Sequence, residues 1–315
     1  MNNKNWCKAI MYHYIRINSD FIPWLKYLGI DNFKKQLDFF EKEFWFVRKE
    51  DWINFINNKT NVPTWIILTF DDWLIDHYKY VLPILKERNL WWIFFVWTKQ
   101  LRDRSILNVH KIHYLLWRFN SKNIYEKFVD ILKNLNLESE IKKIENRIAY
   151  SEQEMDKYSL IIKKINYSLN LDTQTIVLDK LISIFWDPID IIWEKLYLNE
   201  NQISEIKNAW NIIWWHAESH HLLSNFSYNE LNNEIDESNN FLSKIINSEI
   251  DCFCYPYWWK DSYNIETVRK LENSNIKYSF IVEPRNIKTD DIINNKYLLP
   301  RYDCNMFKYW IIENV

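Results

Sequence analysis

The segment W-I-I-L-T-F-D-D-W, Trp65 to Trp73, decides how the rest of the chain is read. Ile66, Ile67, Leu68 and Phe70 make an apolar run too short for a helix, and two carboxylates, Asp71 and Asp72, close it. A run of that length, apolar without alternation, is a strand buried on both faces, the kind found in parallel sheets. Outward from it, Lys8–Tyr14 reads as another strand. Asp31–Phe44 reads as an amphipathic helix, with Asp31 as N-cap and Phe33, Leu37, Phe40 and Phe44 near helical spacing. A helix over His77–Arg88 and a strand over Trp92–Val96 follow. The last third repeats the alternation: helix Asn201–Ala209, strand Asn211–Trp215, helix Tyr228–Ile246, strand Asp251–Tyr255, helix Ser262–Asn273 and a strand near Lys277–Val282. Alternating β and α units predict an α/β fold, a parallel sheet with crossover helices, open or closed into a barrel.

Between about 101 and 198 the pattern changes. Asn123–Leu135, Ser139–Ile148, Gln153–Ile165 and Thr173–Phe185 are charged, helical in period and joined by polar linkers. This divides the chain into a first part of the sheet domain (1–100), a helical insertion or lid (101–198) and a second part of the sheet domain (199–315). An insertion after a strand's C-terminal end lies on the face where barrel active sites are built.

Composition narrows the partners. The formal net charge is −2 and no basic stripe is present, so no nucleic-acid partner is expected. No transmembrane segment is expected either, since no apolar stretch reaches the ~18 residues a span needs. The N-terminus lacks an apolar region of signal-peptide length, which points to a cytoplasmic protein, or to an exported one if the true start lies upstream. Cys7, Cys252, Cys254 and Cys304 show no C-x-x-C spacing and read as buried free thiols. The anomaly is 18 tryptophans beside a single glycine. At average usage about 22 glycines would be expected, and βα turns need them, because glycine alone enters positive φ at no steric cost. The simplest account is that most of these tryptophans are glycines, as when a UGA codon read as Gly by the organism is rendered Trp.

Three segments at strand ends carry candidate chemistry. Asp71 and Asp72 are costly to bury unless paired, and a divalent metal is a common partner; with side chains on opposite sides, one can ligate while the other acts as a base. His216 and His220 in H-A-E-S-H are four apart, so both can reach one ion from one side of a helical turn. His221 points elsewhere by that spacing and reads as a surface residue. Two His and one Asp leave coordination positions open, as a catalytic zinc requires. The third segment, C-Y-P-Y-W-W from Cys254 to Trp259, places a stiff Pro turn after a strand, with backbone N–H groups able to face a pocket.

Together these segments resemble the polysaccharide deacetylases with the NodB-homology domain, carbohydrate esterase family 4. The family motif T-F-D-D-G stands here as T-F-D-D-W at 69–73, H-[S/T]-x-x-H as H-A-E-S-H at 216–220, and R-x-P-Y-G as C-Y-P-Y-W. The segments M-Y-H-Y (Met11–Tyr14), F-K-K-Q-L-D-F-F, V-L-P-I-L-K, I-F-F-V, V-H-K-I-H (Val109–His113) and L-P-R-Y-D-C-N look like a bacterial subgroup acting on surface polysaccharides. The resemblance implies a distorted (β/α)7 barrel and a metal-dependent hydrolase that removes an acetyl group, usually N-acetyl, from a carbohydrate substrate. It implies Asp71 as general base, Asp72, His216 and His220 as metal ligands, and the backbone N–H of Tyr257 as oxyanion donor. Zinc is first by ligand type, with cobalt, nickel or manganese also suited to a His₂-Asp site. Two positions depart from the family. Cys254 stands where an arginine steadies the base, a part that Arg301, oriented by Asp303, can supply from another strand. The family's late histidine has no counterpart, so the proton for the leaving amine must come from His13, or from His110 or His113 in the insertion.

The reading from a different class is a non-catalytic glycan-binding protein on a deacetylase-like barrel, its tryptophans stacking on sugars. The tryptophan positions bear on this. Trp73, Trp214, Trp215, Trp258 and Trp259 fall where the family commonly has glycine, and Trp45, Trp65, Trp92, Trp97, Trp117, Trp210 and Trp310 fall at expected turns or strand edges.

Overall fold

Seven short apolar strands align in parallel and curve into a nearly closed barrel, with helices around it. The structure, a computed structural model, describes residues 6–17, 27–58, 61–147, 155–185, 188–257 and 262–310. In chain order the barrel strands are β1 (Cys7–Tyr12), β2 (Trp65–Phe70), β3 (Ile93–Val96), β4 (Ile212–Trp215), β5 (Cys252–Cys254), β6 (Tyr278–Phe280) and β7 (Arg301–Asp303). Their order around the sheet is β6-β5-β4-β3-β2-β1-β7. The remaining gap is bridged by Leu299, two residues before β7: its N–H donates to Ser279 O and its carbonyl accepts from Ile281 N–H, both at 2.9 Å. The expected (β/α)7 barrel is therefore present.

Register sets which strand ends meet. Tyr12 lies opposite Phe70 and Val96 opposite Trp215. His13 and Asp71 thus leave adjacent strands at one level, and His216 follows β4 at the matching end, its N–H held by Val96 O at 2.7 Å. Beneath them Ile67, Phe95 and Phe280 fill the barrel interior, while Ile10, Phe70, Phe94 and Phe253 point outward under the helices, each of the seven at most 1% exposed. Burial at that level removes roughly 1.5–3 kcal/mol of apolar exposure per side chain from the unfolded state's advantage.

Chain contacts separate two units. One holds the strands and comprises residues to Ile17, Tyr27–Asp103 and Leu196 onward; Arg104–Lys195 form the body of the other. The second is all helical: Asn108–Arg118, Ser121–Asn134, Glu138–Asn146, Lys157–Ser168, Leu171–Ile184 and a last helix from Ile189. Three of these are opened by side-chain caps, Asn120, Asp156 and Asn170, which accept from free N–H groups of the first turn. Ile124, Phe128, Ile162, Ile165 and Leu178 are fully buried in this unit. Among the described residues no helix is long and apolar enough to cross a membrane.

Two expected helices are not uniform. The first starts as a π-helical turn, His77–Val81, before α-helix Leu82–Glu87; the second carries a π-turn, Asn233–Glu237, between Glu230–Asn232 and Ser238–Ile246. The apolar pattern does not reveal an extra residue in one turn, which shifts the register only locally.

Four tryptophans occupy left-handed backbone: Trp45 (φ 92°), Trp65 (111°), Trp73 (61°) and Trp210 (68°). All four belong to the positions singled out as disguised glycines. Trp92, Trp97, Trp117, Trp214, Trp215 and Trp310 take ordinary φ, and Trp258 and Trp259 lie outside the described residues. By contrast Trp52 is a packed core residue, stacked on Phe280 with ring centroids 5.9 Å apart. Left-handed backbone costs a side chain with a Cβ roughly 1–2 kcal/mol, and Trp45 and Trp210 recover little by burial, being 55% and 58% exposed. Trp45→Gly and Trp210→Gly should each stabilise the chain by about 1 kcal/mol, whereas Trp52→Ala should cost about 3–5 kcal/mol, as read from denaturant midpoints. Destabilisation by both glycine changes would contradict this backbone reading.

Candidate active site

The site begins with strand alternation. Thr69 on β2 and Asp71, the residue just past its end, are two apart and face the same way, into the barrel. There they meet Arg301 of β7, whose side chain has no exposed surface. Its Nη1 donates to Asp71 Oδ1 at 2.8 Å and to Thr69 Oγ1 at 3.1 Å; its Nη2 donates to Asp71 Oδ2 and to Cys254 Sγ, both at 2.8 Å. The guanidinium also lies 5.1 Å from the Phe95 ring centroid. A two-pronged pair of this kind fixes the carboxylate plane as well as its position. Burial pushes the Asp71 carboxyl up, but the Arg301 charge and hydrogen bonds outweigh it, with His216 and His13 adding, and the group is held below the ordinary carboxylate range. Asp71 is thereby an ionised, oriented acceptor. Asp303 does not orient Arg301; its carboxylate accepts from the Asn305 N–H instead.

Asp72 leaves the strand in left-handed backbone, φ 70°, followed by Trp73 at 61°. Continued alternation would send it away from Asp71; the turn brings both carboxylates to His216. Asp72 Oδ1 is 3.3 Å from His220 Nε2 and 3.9 Å from His216 Nε2, and its Oδ2 is 3.8 Å from His13 Nε2. His216 Nδ1 donates to Cys254 O at 2.8 Å, which leaves the Nε2 lone pair directed to the Asp72 side. Burial first, then the neighbouring His220, pushes the His216 pKa down to about 4, so the ring is neutral, the form that binds metal.

The two histidines do not sit on a helical turn as expected. Residues 216–220 form an irregular loop with Ala217 at φ 65° and His220 at φ 53°. Their rings still come together, centroids 4.7 Å apart. His221 is no surface residue: it is 3% exposed, edge-on to Phe226, and burial lowers its pKa to about 4. Helical spacing was the wrong guide because the loop is not helical.

Among the described residues, two donor groups are close enough to hold an ion: Asp72, His216 and His220, and Asp71, His216 and Cys254. In the second, Asp71 and Cys254 both accept from Arg301, and burial keeps the Cys254 thiol far from deprotonation. The first fits a divalent cation better: a carboxylate and two imidazoles converge in a buried space, with His220 Nε2 and His216 Nε2 both turned to Asp72 Oδ1. All four cysteines are free and buried.

Beyond the ligand group, Tyr257 follows Pro256 at φ 63° with its ring 5.0 Å from that of His220. His13 is the exposed member, its side chain 37% accessible. Its carbonyl accepts from His77 Nε2 at 2.7 Å, and His77 is wedged edge-on against Phe70 and Phe94, each at 5.2 Å. The neighbouring Asp76 takes two hydrogen bonds from Arg16 at 2.8 and 2.9 Å. Asp76 and His77 thus tie the loop after β1 to the segment after β2. Nothing in their residue types announces this; only their place one turn beyond the Asp pair hints at it. His110 and His113 belong to helix Asn108–Arg118 of the helical unit.

A family model described as polysaccharide deacetylase matches residues 58–278. Solved structures are similar in fold: a Streptococcus pyogenes deacetylase, PplD, in complex with acetate (16% identity, 95% of this chain and 92% of that one, TM-score 0.57); IcaB from Ammonifex degensii (14%, 95% and 91%, 0.56); and the BpsB deacetylase domain from Bordetella bronchiseptica (11%, 96% and 96%, 0.55). No curated protein matches the chain.

The buried His77 makes a pH prediction. Burial lowers its pKa from 6.5 to about 4 in the fold. The unfolded chain therefore takes up this proton first, and stability that is complete above pH 6.5 is lost as the pH falls towards 4, by about 3 kcal/mol from this group. His77→Gln keeps an N–H for His13 O but does not titrate. Its stability should fall less steeply between pH 6.5 and 4 in denaturant titrations; a slope equal to the parent's would contradict the assignment.

Proposed function

The chain belongs to the polysaccharide deacetylase family, and on that premise we propose that it is a metal-dependent hydrolase taking acetyl groups, N-acetyl first, from a sugar of a surface polysaccharide or its precursor. The observation that carries the metal reading is the convergence of Asp72, His216 and His220 on one buried space next to an ionised Asp71. Asp72, His216 and His220 would hold the ion, zinc by donor type with cobalt, nickel or manganese as alternatives. Bound there, a divalent ion supplies Lewis acidity towards the acetyl carbonyl and lowers the pKa of water.

The residues divide the remaining work. Asp71, kept ionised and in plane by Arg301, takes the proton from the water that adds to the acetyl carbon. The Tyr257 backbone N–H donates to the oxyanion of the tetrahedral intermediate. His13, reachable from solvent and fixed through its carbonyl by His77, gives a proton to the amine nitrogen as the carbon–nitrogen bond breaks. Acetate and a free amino sugar leave.

Asp71→Asn should retain stoichiometric zinc and lose about 10²–10⁴-fold in turnover, whereas Asp72→Ala and His216→Ala should lose the zinc itself, measured by metal analysis and acetate release from N-acetylglucosamine oligomers. His13→Ala should fail on these amides but keep most of its activity on an aryl acetate, whose leaving group needs no proton. Full amide turnover in Asp71→Asn would overturn the mechanism.

We also propose that the left-handed positions 45, 65, 73 and 210 carry glycine in the protein as its organism makes it, encoded by UGA. Positive φ at all four supports this. Peptide masses from the native source should show glycine there, with UGA codons in the gene; tryptophan masses or UGG codons would refute it.

A further inference from the structure

The loop that carries His216 and His220 contains two left-handed residues, Ala217 and His220, and has no regular structure to hold its shape. Its shape is nonetheless fixed, by contacts from two sides. From the end of β3, Thr98 N–H donates to Ala217 O at 3.4 Å and Lys99 N–H to Glu218 O at 3.1 Å. From the helix beyond, Glu234 Oε2 accepts both the Glu218 N–H at 3.2 Å and the Ser219 N–H at 3.0 Å. Glu234 is 6% exposed and stands in the π-turn Asn233–Glu237. A π-turn inserted in an α-helix redirects side chains locally and is frequent at functional sites. The Glu218 carboxylate, 7% exposed, is taken in turn by Thr98 Oγ1 and by Arg102 Nη2, with Ser238 Oγ 2.6 Å from Thr98 Oγ1.

We propose that Glu234 is a positioning residue for the metal ligands: by accepting the two central N–H groups of the 216–220 loop, seconded by the Arg102–Glu218 pair, it sets the approach of His216 and His220 to a common ion. The proposal rests on the metal reading above. A buried carboxylate spanning two successive N–H groups is the acceptor this loop lacks internally, and without it the buried Glu218 N–H and the half-buried Ser219 N–H would lose their acceptor. Glu234 makes no contact with the ion site or the reacting atoms; it acts through the loop it holds, with its charge also felt at His220.

The variants are Glu234→Gln, which keeps an oxygen for both N–H groups, Glu234→Ala, which does not, and Arg102→Met, at a residue with a 44% exposed side chain where the fold tolerates change. Zinc affinity is read by competition with a chromophoric chelator, ligand geometry by the visible absorption of the cobalt-loaded protein, and folding by circular dichroism. Expected are a loss of roughly 10–100-fold in zinc affinity for Glu234→Ala, a changed cobalt spectrum, and recovery of both in Glu234→Gln; Arg102→Met should weaken zinc in the same direction by a smaller factor. Parent-like affinity and spectrum in Glu234→Ala would overturn the proposal. So would equal losses in the Ala and Gln variants, or, if Glu234→Ala does not fold, parent-like affinity in Arg102→Met. A parent chain that takes up no zinc or cobalt would instead remove the metal reading, and this inference with it.

Discussion

The site depends on one buried ion pair, Arg301 with Asp71. Two adjacent carboxylates at the end of an apolar strand repel each other and are expensive to remove from water. Arg301 resolves half of that problem: it neutralises Asp71, orients it, and shares its remaining reach with Thr69 and Cys254. The other carboxylate, Asp72, is left to the two imidazoles. On the proposed reading, chemical roles follow from this division: a carboxylate held by a fixed cation keeps its charge and place, which leaves its neighbour for a metal ion. The pair is also a liability, because removing either partner would strand an unpaired charge in a buried site, at a cost of about 3–5 kcal/mol.

The barrel supplies the convergence. β2 brings Asp71, β4 brings His216, β5 brings Cys254 and β7 brings Arg301, so four strands distant in sequence meet in one space. Strands alone would not suffice. Asp72, Ala217, His220 and Tyr257 all adopt left-handed backbone, which redirects the chain in the segments that follow β2, β4 and β5. Such strain is retained where surrounding contacts over-determine it, and in the 216–220 loop those contacts are the hydrogen bonds to Glu234 and from the end of β3.

Much of this was legible in the residues. Asp71, Asp72, His216 and His220 stand out because acidic pairs and spaced histidines at the ends of apolar runs have few cheap explanations, and the structure brings all four together. Arg301 was legible only as a substitute for an arginine missing at Cys254; its complete burial was not, because three strand residues beginning with arginine carry no sign of facing inward. Local pattern failed where geometry is irregular: the 216–220 loop is not helical, His221 is buried, and π-turns leave no trace in apolar spacing. Glu234 and His77 act through backbone atoms, which sequence does not display. The tryptophan excess, odd as composition, becomes meaningful in the structure, where four of the flagged positions require the backbone that glycine adopts most readily.

The claim that Arg301 divides the two carboxylates between separate roles is tested most directly by crystallography of the zinc-loaded protein with anomalous data at the zinc edge. A single peak bounded by Asp72, His216 and His220, with Asp71 still paired to Arg301, is the result required. A peak held by Asp71 and Cys254, with Arg301 displaced, would contradict it.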